Sequence, residues 1–156
     1  MANVAALCTS FKQELMNGSH AFGAQAANSV RTVTTKDTFK MALYLVSGSL
    51  GAATTAYSST NELAATGNYT AGGNAVTNAT APTTTGTTAF WPPSASVSWA
   101  ALTSSGSFDC ALLYNTASTG ALAVGVFTFG AQTVTAGTFT LTMPANDASN
   151  GLIRIA

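Results

Sequence analysis

The sequence predicts an all-β domain, a jelly roll or β-sandwich, with a short N-terminal helix or an extended arm. Three observations support this fold class. Apolar and polar residues alternate along most of the chain, which is the pattern of half-buried strands. Turn signals recur about every 8–12 residues, as they do in sandwiches and barrels. Aromatic residues are spread through the 156 positions and 47% of residues are apolar, so the chain can fold around a core.

The first 27 residues form a separate N-terminal segment in this prediction, and residues 28–156 form the β domain. Apolar residues recur every four positions within Val4–Met16, which favours a helix there. The same stretch is compatible with an extended arm that pairs with the edge of a sheet. We expect the segment to reach a neighbouring subunit.

Six further stretches show the two-residue period of strands, with alternate residues on opposite faces, and each is predicted to be a strand in a domain of seven or eight strands. They are Thr38–Val46, Ala95–Trp99, Ser107–Asn115, Leu122–Phe129, Thr138–Met143 and Gly151–Ala156. Threonine fills many outward positions because its branched Cβ fits a pleated surface. Val97 and Trp99 share a face opposite serines, so Trp99 is a predicted core residue.

Glycine and proline mark the breaks between these strands. Gly67, Gly72 and Gly73 predict tight turns around Tyr69. Residues 74–88 are rich in threonine and alanine and are expected to form a long surface connection or an edge strand.

Two other breaks follow from local chemistry. The run Trp91-Pro92-Pro93 ends a strand, because proline has no N–H to donate to a neighbouring strand. Ala136-Gly137 lies between two threonine-rich stretches and predicts a short hairpin connection.

Charge is scarce and limits the possible functions. Lys and Arg total five, Asp and Glu total five, and there is one histidine. Charged residues make up 6% of the chain, against about a quarter in average domains. Enzymes need titratable groups with tuned pKa values, so we expect no enzyme and no catalytic, cofactor-binding or metal-binding residues.

The same numbers bear on partners. A net charge of zero argues against nucleic-acid binding, which relies on cations that neutralise phosphates. The apolar runs are too short for membrane insertion, which needs about 20 residues. Zero net charge also removes the repulsion that keeps monomers apart, so we expect a homo-oligomer.

The histidine gives the one catalytic hypothesis that the sequence offers. A serine, His20 and Asp109 can be written as a triad, but any serine-rich chain allows many such sets, and no Gly-x-Ser-x-Gly turn opens a helix. Asp109 interrupts an apolar strand, so it either faces solvent or pairs with a cation at a subunit contact. Asp147, in a stretch of Asn, Ser and Gly, is expected to cap a turn rather than bind calcium.

Aromatic residues and cysteines complete the set of candidates. One hypothesis is a sugar-stacking surface formed by Trp91, Trp99, Tyr57 and Tyr69. Aromatic residues that are this scattered in the sequence are more typical of core or interface positions. The two cysteines, at positions 8 and 110, are interpreted as free apolar residues, with a mutual disulfide as the alternative.

Several segments of the chain together form a recognisable pattern, made of Phe11–Leu15, Gly18, His20, Phe22, Asp37–Leu45, Tyr57, Asn61, Glu62, Tyr69–Gly73 and Thr128–Ala156. In this pattern the chain resembles a family of small virion structural proteins of tailed bacteriophages.

This resemblance implies a component of the phage particle. The leading expectation is a capsid decoration or cement protein, a trimer bound to the major capsid protein on the outside of the head after assembly in the host cytoplasm. The alternative is a tail-associated or fibre-base component that contacts tail proteins and includes a receptor-binding module.

Overall fold

A computed structural model describes residues 2–24 and 35–156 of the chain. These residues form an all-β fold of antiparallel sheets with one short helix, so the predicted fold class is confirmed. The elements are β1 (Ala6–Leu7), α1 (Thr9–Met16), β2 (Phe39–Leu45), β3 (Asn74–Ala75), β4 (Thr83–Thr85), β5 (Thr88–Trp91), β6 (Val97–Leu102), β7 (Phe108–Asn115), β8 (Ala123–Gln132), β9 (Gly137–Leu141) and β10 (Ile153–Ile155).

A five-stranded sheet in the order β1-β8-β7-β2-β3 forms the centre of the molecule. Its strands β2 and β7 pair antiparallel along almost their whole length, with Met41 opposite Leu113 and Leu43 opposite Ala111. Nearly every side chain of both strands is buried, on both faces of the sheet. The sequence is therefore nearly continuously apolar in these strands, because neither face is left to solvent.

Two smaller sheets cover one face of the central sheet. The three-stranded sheet has the order β10-β5-β4, and the two-stranded sheet pairs β6 with β9. Aromatic rings join the layers: the Trp91 ring lies 5.7 Å from Phe39, and the Phe139 ring lies 4.9 Å from Phe108, edge to face. This contact between sheets makes the fold sandwich-like.

The loop of residues 46–73 lies against the opposite face. Side chains alternate along a strand, so Tyr44 and Tyr114 point away from the face that carries Phe39. Glu62 forms an isolated β-bridge with Tyr44, and the Tyr57 ring stacks on Tyr114 with ring centres 4.7 Å apart. The loop thereby extends the edge of β2 and covers its second face.

The N-terminal segment contains both of the predicted conformations. Residues 6 and 7 pair with β8 at the edge of the central sheet, and Thr9–Met16 is helical. Cys8 and Phe11 are fully buried in the core. The described part of the segment thus lies on its own chain. The predicted boundary between residues 27 and 28 lies outside the described residues, and contact with a neighbouring subunit stays a prediction.

The predictions about where strands end and which are edge strands are confirmed, whereas a prediction about which strands pair is wrong. β5 ends at Trp91 before the two prolines, and residues 74–88 contain the edge strands β3 and β4. The predicted hairpin at Ala136-Gly137 is wrong, because β9 pairs with β6 and not with the preceding β8. The chain instead changes sheets there, with Ala136 at a positive φ of 47°.

Trp99 provides a direct test of the core. Its side chain is buried, and its ring lies 5.9 Å from that of Phe139 on the paired strand. We expect Trp99→Ala to lower the free energy of unfolding by about 3–5 kcal/mol, because the large cavity cannot fully collapse. Urea unfolding followed by circular dichroism measures this loss. Ser98→Ala, at an exposed position of the same strand, is the matched control, and equal stabilities of the two variants would contradict the core assignment.

Candidate functional site

All four tyrosines of the chain surround one buried carboxylate. We call Glu62 together with Tyr44, Tyr57, Tyr69 and Tyr114 the glutamate–tyrosine cluster. Glu62 is 7% exposed and lies where the loop of residues 46–73 meets β2. A buried carboxylate is stable only when donors replace the water it has lost, so its partners define what this site can do.

Three donors converge on the carboxylate. The hydroxyl of Tyr57 donates to Oε2 at 2.6 Å. The hydroxyl of Tyr69 and the backbone N–H of Gly72 both donate to Oε1, at 2.8 and 2.6 Å. Hydrogen bonds to an ionised acceptor are short and stronger than neutral ones, so Glu62 fixes both tyrosines and the turn at residue 72.

Tyr69 also supplies a hydrogen-bond partner to a part of β2 that pairs with no neighbouring strand on that edge. The edge of that strand is paired with residues 61–63 at one end and with β3 at the other. Between them the N–H of Leu43 donates to the Tyr69 hydroxyl at 2.9 Å. The hydroxyl therefore accepts from the strand and donates to Glu62, which satisfies a buried backbone donor that has no strand partner.

The turn after Tyr69 must be built from glycine. Gly72 and Gly73 have φ values of +86° and +69°. A Cβ atom on Gly73 would lie 1.9 Å from the carbonyl oxygen of Met41, so the turn approaches β2 more closely than any side chain allows. The hydroxyl of Tyr114 donates to the carbonyl of Gly72 at 2.8 Å and holds the turn from the sheet side.

The tyrosines of the cluster act as hydrogen-bond donors and not as bases. Burial raises the pKa of Tyr114 to about 12, with Glu62 adding to the shift. Burial also raises the pKa values of Tyr57 and Tyr69 well above their ordinary range, and their hydrogen bonds to Glu62 contribute. All three phenols therefore keep their protons at neutral pH.

A second buried network surrounds the histidine. His20 Nε2 lies 2.8 Å from Glu14 Oε2, and His20 Nδ1 lies 3.0 Å from Asn115 Nδ2. The same amide nitrogen donates to Asp37 at 2.6 Å. The oxygen of the Asn115 amide accepts the backbone N–H of Ala117 at 2.9 Å, which fixes the orientation of the amide. His20 must then accept at Nδ1 and donate from Nε2 to Glu14.

The structure does not bring the hypothetical triad together. His20 is engaged by Glu14 and Asn115, while Asp109 accepts a hydrogen bond from Asn3 Nδ2 at 2.6 Å. Asp109 is half-buried and has a partner within its own chain, so it does not simply face solvent, and pairing with a cation of another subunit stays a prediction. Its amide partner comes from the N-terminal segment, far away in the sequence.

Asp147 and the four aromatic residues singled out in the sequence lie in a turn, in the core or partly exposed, and not in a common site. Asp147 caps its own turn by accepting the backbone N–H groups of Ser149 and Asn150, both at 2.8 Å. Trp91 and Trp99 are core residues, and so is Tyr69, while Tyr57 is partly exposed. These four aromatic residues form no common surface for stacking.

The two cysteines are free and buried. Burial raises the pKa of Cys8 to about 11 and that of Cys110 to about 12. Both thiols therefore stay protonated at neutral pH, which makes them poor nucleophiles.

Neither a metal cluster nor a membrane-spanning helix is found in the part of the chain that the structure describes. Within residues 2–24 and 35–156, no three His, Cys, Asp or Glu side chains are grouped so that they could hold an ion. The one helix among these residues is too short to cross a bilayer.

An apolar groove open to solvent lies apart from the two buried clusters. It lies between α1 and β10, has a volume of about 470 Å³, and we call it the α1–β10 groove. It is lined by Leu7, Phe11, Lys12, Leu15, Met16, Ile153, Arg154, Ile155 and Ala156. Met16 is 83% exposed and Ile155 is 56% exposed, so apolar surface faces solvent there.

Sequence reasoning missed the glutamate–tyrosine cluster as a unit, although it singled out Tyr57 and Tyr69 as candidate aromatic residues. The available signal was a carboxylate in a chain with few charges, close to a glycine pair. Comparison of the chain with protein-family models, with curated proteins and with solved structures finds no match.

Proposed function

We propose that this protein is a structural component of a tailed-phage particle, a capsid decoration protein. In this role it binds the major capsid protein on the outside of the head as a homo-oligomer, a trimer, and works through its surface rather than through an active site.

The observation that carries the proposal is the use of the acidic side chains. The chain has five, and each accepts hydrogen bonds from its own chain. They are Glu14 with His20, Asp37 with Ala21 and Asn115, Glu62 with Tyr57, Tyr69 and Gly72, Asp109 with Asn3, and Asp147 with Ser149 and Asn150. Four of these carboxylates hold loops or the N-terminal segment in place, and Asp147 caps its own turn, so each has a structural use within the chain.

Composition supports the same role. A surface of small residues and threonine with few charges costs little to desolvate, which suits lasting contact between subunits. A standard interface of about 800 Å² per partner, repeated over many copies, gives stable attachment even when each contact is modest. The resemblance of segments such as Asp37–Leu45 and Thr128–Ala156 to virion proteins supports the same role.

Copy number per particle tests the proposal. Quantitative mass spectrometry of purified particles gives the ratio of this protein to the major capsid protein. We expect hundreds of copies per particle, and we expect them to purify together with intact heads. A few copies that purify with isolated tails would support the tail-associated alternative. Absence from purified particles would overturn both.

A further inference from the structure

The α1–β10 groove is open, apolar and continuous with a deeper pocket. Four of its lining residues also line a neighbouring space of about 130 Å³, namely Phe11, Leu15, Ile153 and Ile155. That space reaches Trp91 in the core. An exposed apolar surface that leads into a preformed pocket is typical of a site that is covered in use.

The backbone beside the groove is also unpaired. β10 is the outermost strand of its sheet and pairs only with β5 among the described strands, with Ile153 opposite Trp91 and Ile155 opposite Ala89. Alternate N–H and C=O groups of an edge strand point away from its partner and are free to pair with a further strand. The groove therefore offers both apolar contacts and main-chain hydrogen bonds.

The charge at the groove is positive. Lys12 and Arg154 both line it, both are exposed, and neither forms an ion pair with any residue that the structure describes. Hydrogen bonds from Asn150 and Ser149 lower the pKa of Asp147, and the charge of Arg154 adds a smaller contribution, so Asp147 is engaged mainly within its own turn. The groove thus carries two cationic side chains that pair with no acidic side chain of the described residues.

We propose that the α1–β10 groove binds an extended segment of another protein, in which apolar side chains alternate with acidic ones. The segment adds a strand to the free edge of β10. Its apolar side chains cover Leu15 and Ile155, and its carboxylates pair with Lys12 and Arg154. This is the strand-addition mode of peptide recognition, in which main-chain bonds give affinity and side chains give specificity.

A second copy of this chain fits the groove poorly. Two-fold pairing of β10 with itself would bring two copies of Arg154 and of Lys12 into one interface, where like charges repel. The five acidic side chains each accept a hydrogen bond within their own chain, so a head-to-tail contact through one of them would compete with those bonds. The inference does not depend on the proposed function, because any partner with this chemistry satisfies it.

The probe is a short capped peptide in which valine alternates with glutamate, titrated into the full chain labelled for NMR. We expect shift changes and slowed amide exchange at residues 153–155 and along the groove side of α1. A matched peptide of valine and lysine is expected to bind about tenfold more weakly, since about 1.4 kcal/mol of charge interaction changes an equilibrium tenfold.

Charge reversal in the protein provides the decisive control. Arg154→Glu alters an exposed side chain and leaves the groove with one cation, Lys12, and one anion, so the preference for the glutamate peptide should be lost. Lys36→Glu makes the same change of net charge at an exposed position outside the groove and should leave the preference as it was.

Three results would overturn the inference. The first is no binding of either peptide at millimolar concentration. The second is binding that perturbs other residues or that Arg154→Glu leaves unchanged. The third is self-association through the groove, seen in sedimentation as a dimer that Ile155→Glu dissociates.

Discussion

Replacing Glu62 with alanine is expected to lower the free energy of unfolding by about 5 kcal/mol. The change removes the acceptor of three donors, and a buried donor without a partner costs about 1–3 kcal/mol. The Tyr69 hydroxyl and the Gly72 N–H are buried and contribute about 2 kcal/mol each. Tyr57 is partly exposed and can turn to water, so its share is about 1 kcal/mol.

Two variants separate the hydrogen bonds from the bulk of the side chain. Glu62→Gln keeps the shape and one acceptor oxygen, and about 2 kcal/mol of destabilisation is expected from the lost charge and the misplaced NH₂ group. Tyr57→Phe removes the exposed donor and should cost about 1 kcal/mol. Denaturant unfolding measures all three. Stability of Glu62→Ala within about 1 kcal/mol of the unchanged protein would show that the cluster does not hold the loop.

The same variant should release the backbone locally. Tyr69 is positioned by Glu62 and accepts the N–H of Leu43, which has no strand partner. Without Glu62, amide exchange at Leu43 and Gly72 should become faster than at Leu112, which lies in the middle of the central sheet. Unchanged exchange at these two amides would contradict the assigned hydrogen bonds.

The strands were predictable from the sequence where the signal is local. Alternation and apolar content marked β2 and β7 nearly to the residue, because both are fixed by burial of their own side chains. The N-terminal stretch showed two competing patterns, and the structure uses both, a strand at residues 6–7 and a helix from Thr9. Here the short strand follows from pairing with β8, which no local pattern reveals.

Pairing between distant parts of the chain was not predictable. β8 and β9 are neighbours in sequence with a turn between them, yet β9 pairs with β6, because burial of Trp99 against Phe139 outweighs the local hairpin. The polar clusters were unpredictable for the same reason, because their residues are far apart in the sequence. His20 and Asn115 are separated by 95 positions, so their hydrogen bond exists only once the sheets have formed.

Alkaline pH is expected to unfold this protein steeply, because the folded state holds protons that the unfolded state releases. Burial raises the pKa values of Tyr44 and Tyr69 far above their ordinary range and that of Tyr114 to about 12. In the unfolded chain these phenols ionise near pH 10. The stability that their raised pKa values supply is complete below pH 10, and it is lost as pH rises from there toward the folded values.

The size of the effect follows from the number of protons. Each proton held by the folded state alone contributes about 1.4 kcal/mol per pH unit. Three tyrosines give a slope that approaches about 4 kcal/mol per pH unit above pH 10, with Tyr57 left out because it is partly exposed. Cys8 and Cys110, with pKa values raised by burial to about 11 and about 12, begin a shallower loss near pH 9. A typical total stability of about 5–15 kcal/mol would be consumed within a few pH units.

Urea unfolding at a series of pH values from neutral to alkaline measures this slope, and absorbance of tyrosinate follows ionisation in parallel. We expect tyrosinate to appear together with loss of the folded circular dichroism signal, because the buried phenols ionise only on unfolding. Tyr44→Phe removes the hydrogen bond to the Ser58 carbonyl, so the free energy of unfolding at neutral pH should be lower. It also removes one titrating group, so the loss of unfolding free energy with rising pH should be smaller by about 1.4 kcal/mol per pH unit. Tyrosinate that forms near pH 10 while the fold stays intact would mean that the phenols are accessible, and the glutamate–tyrosine cluster would then be an open surface rather than a buried support.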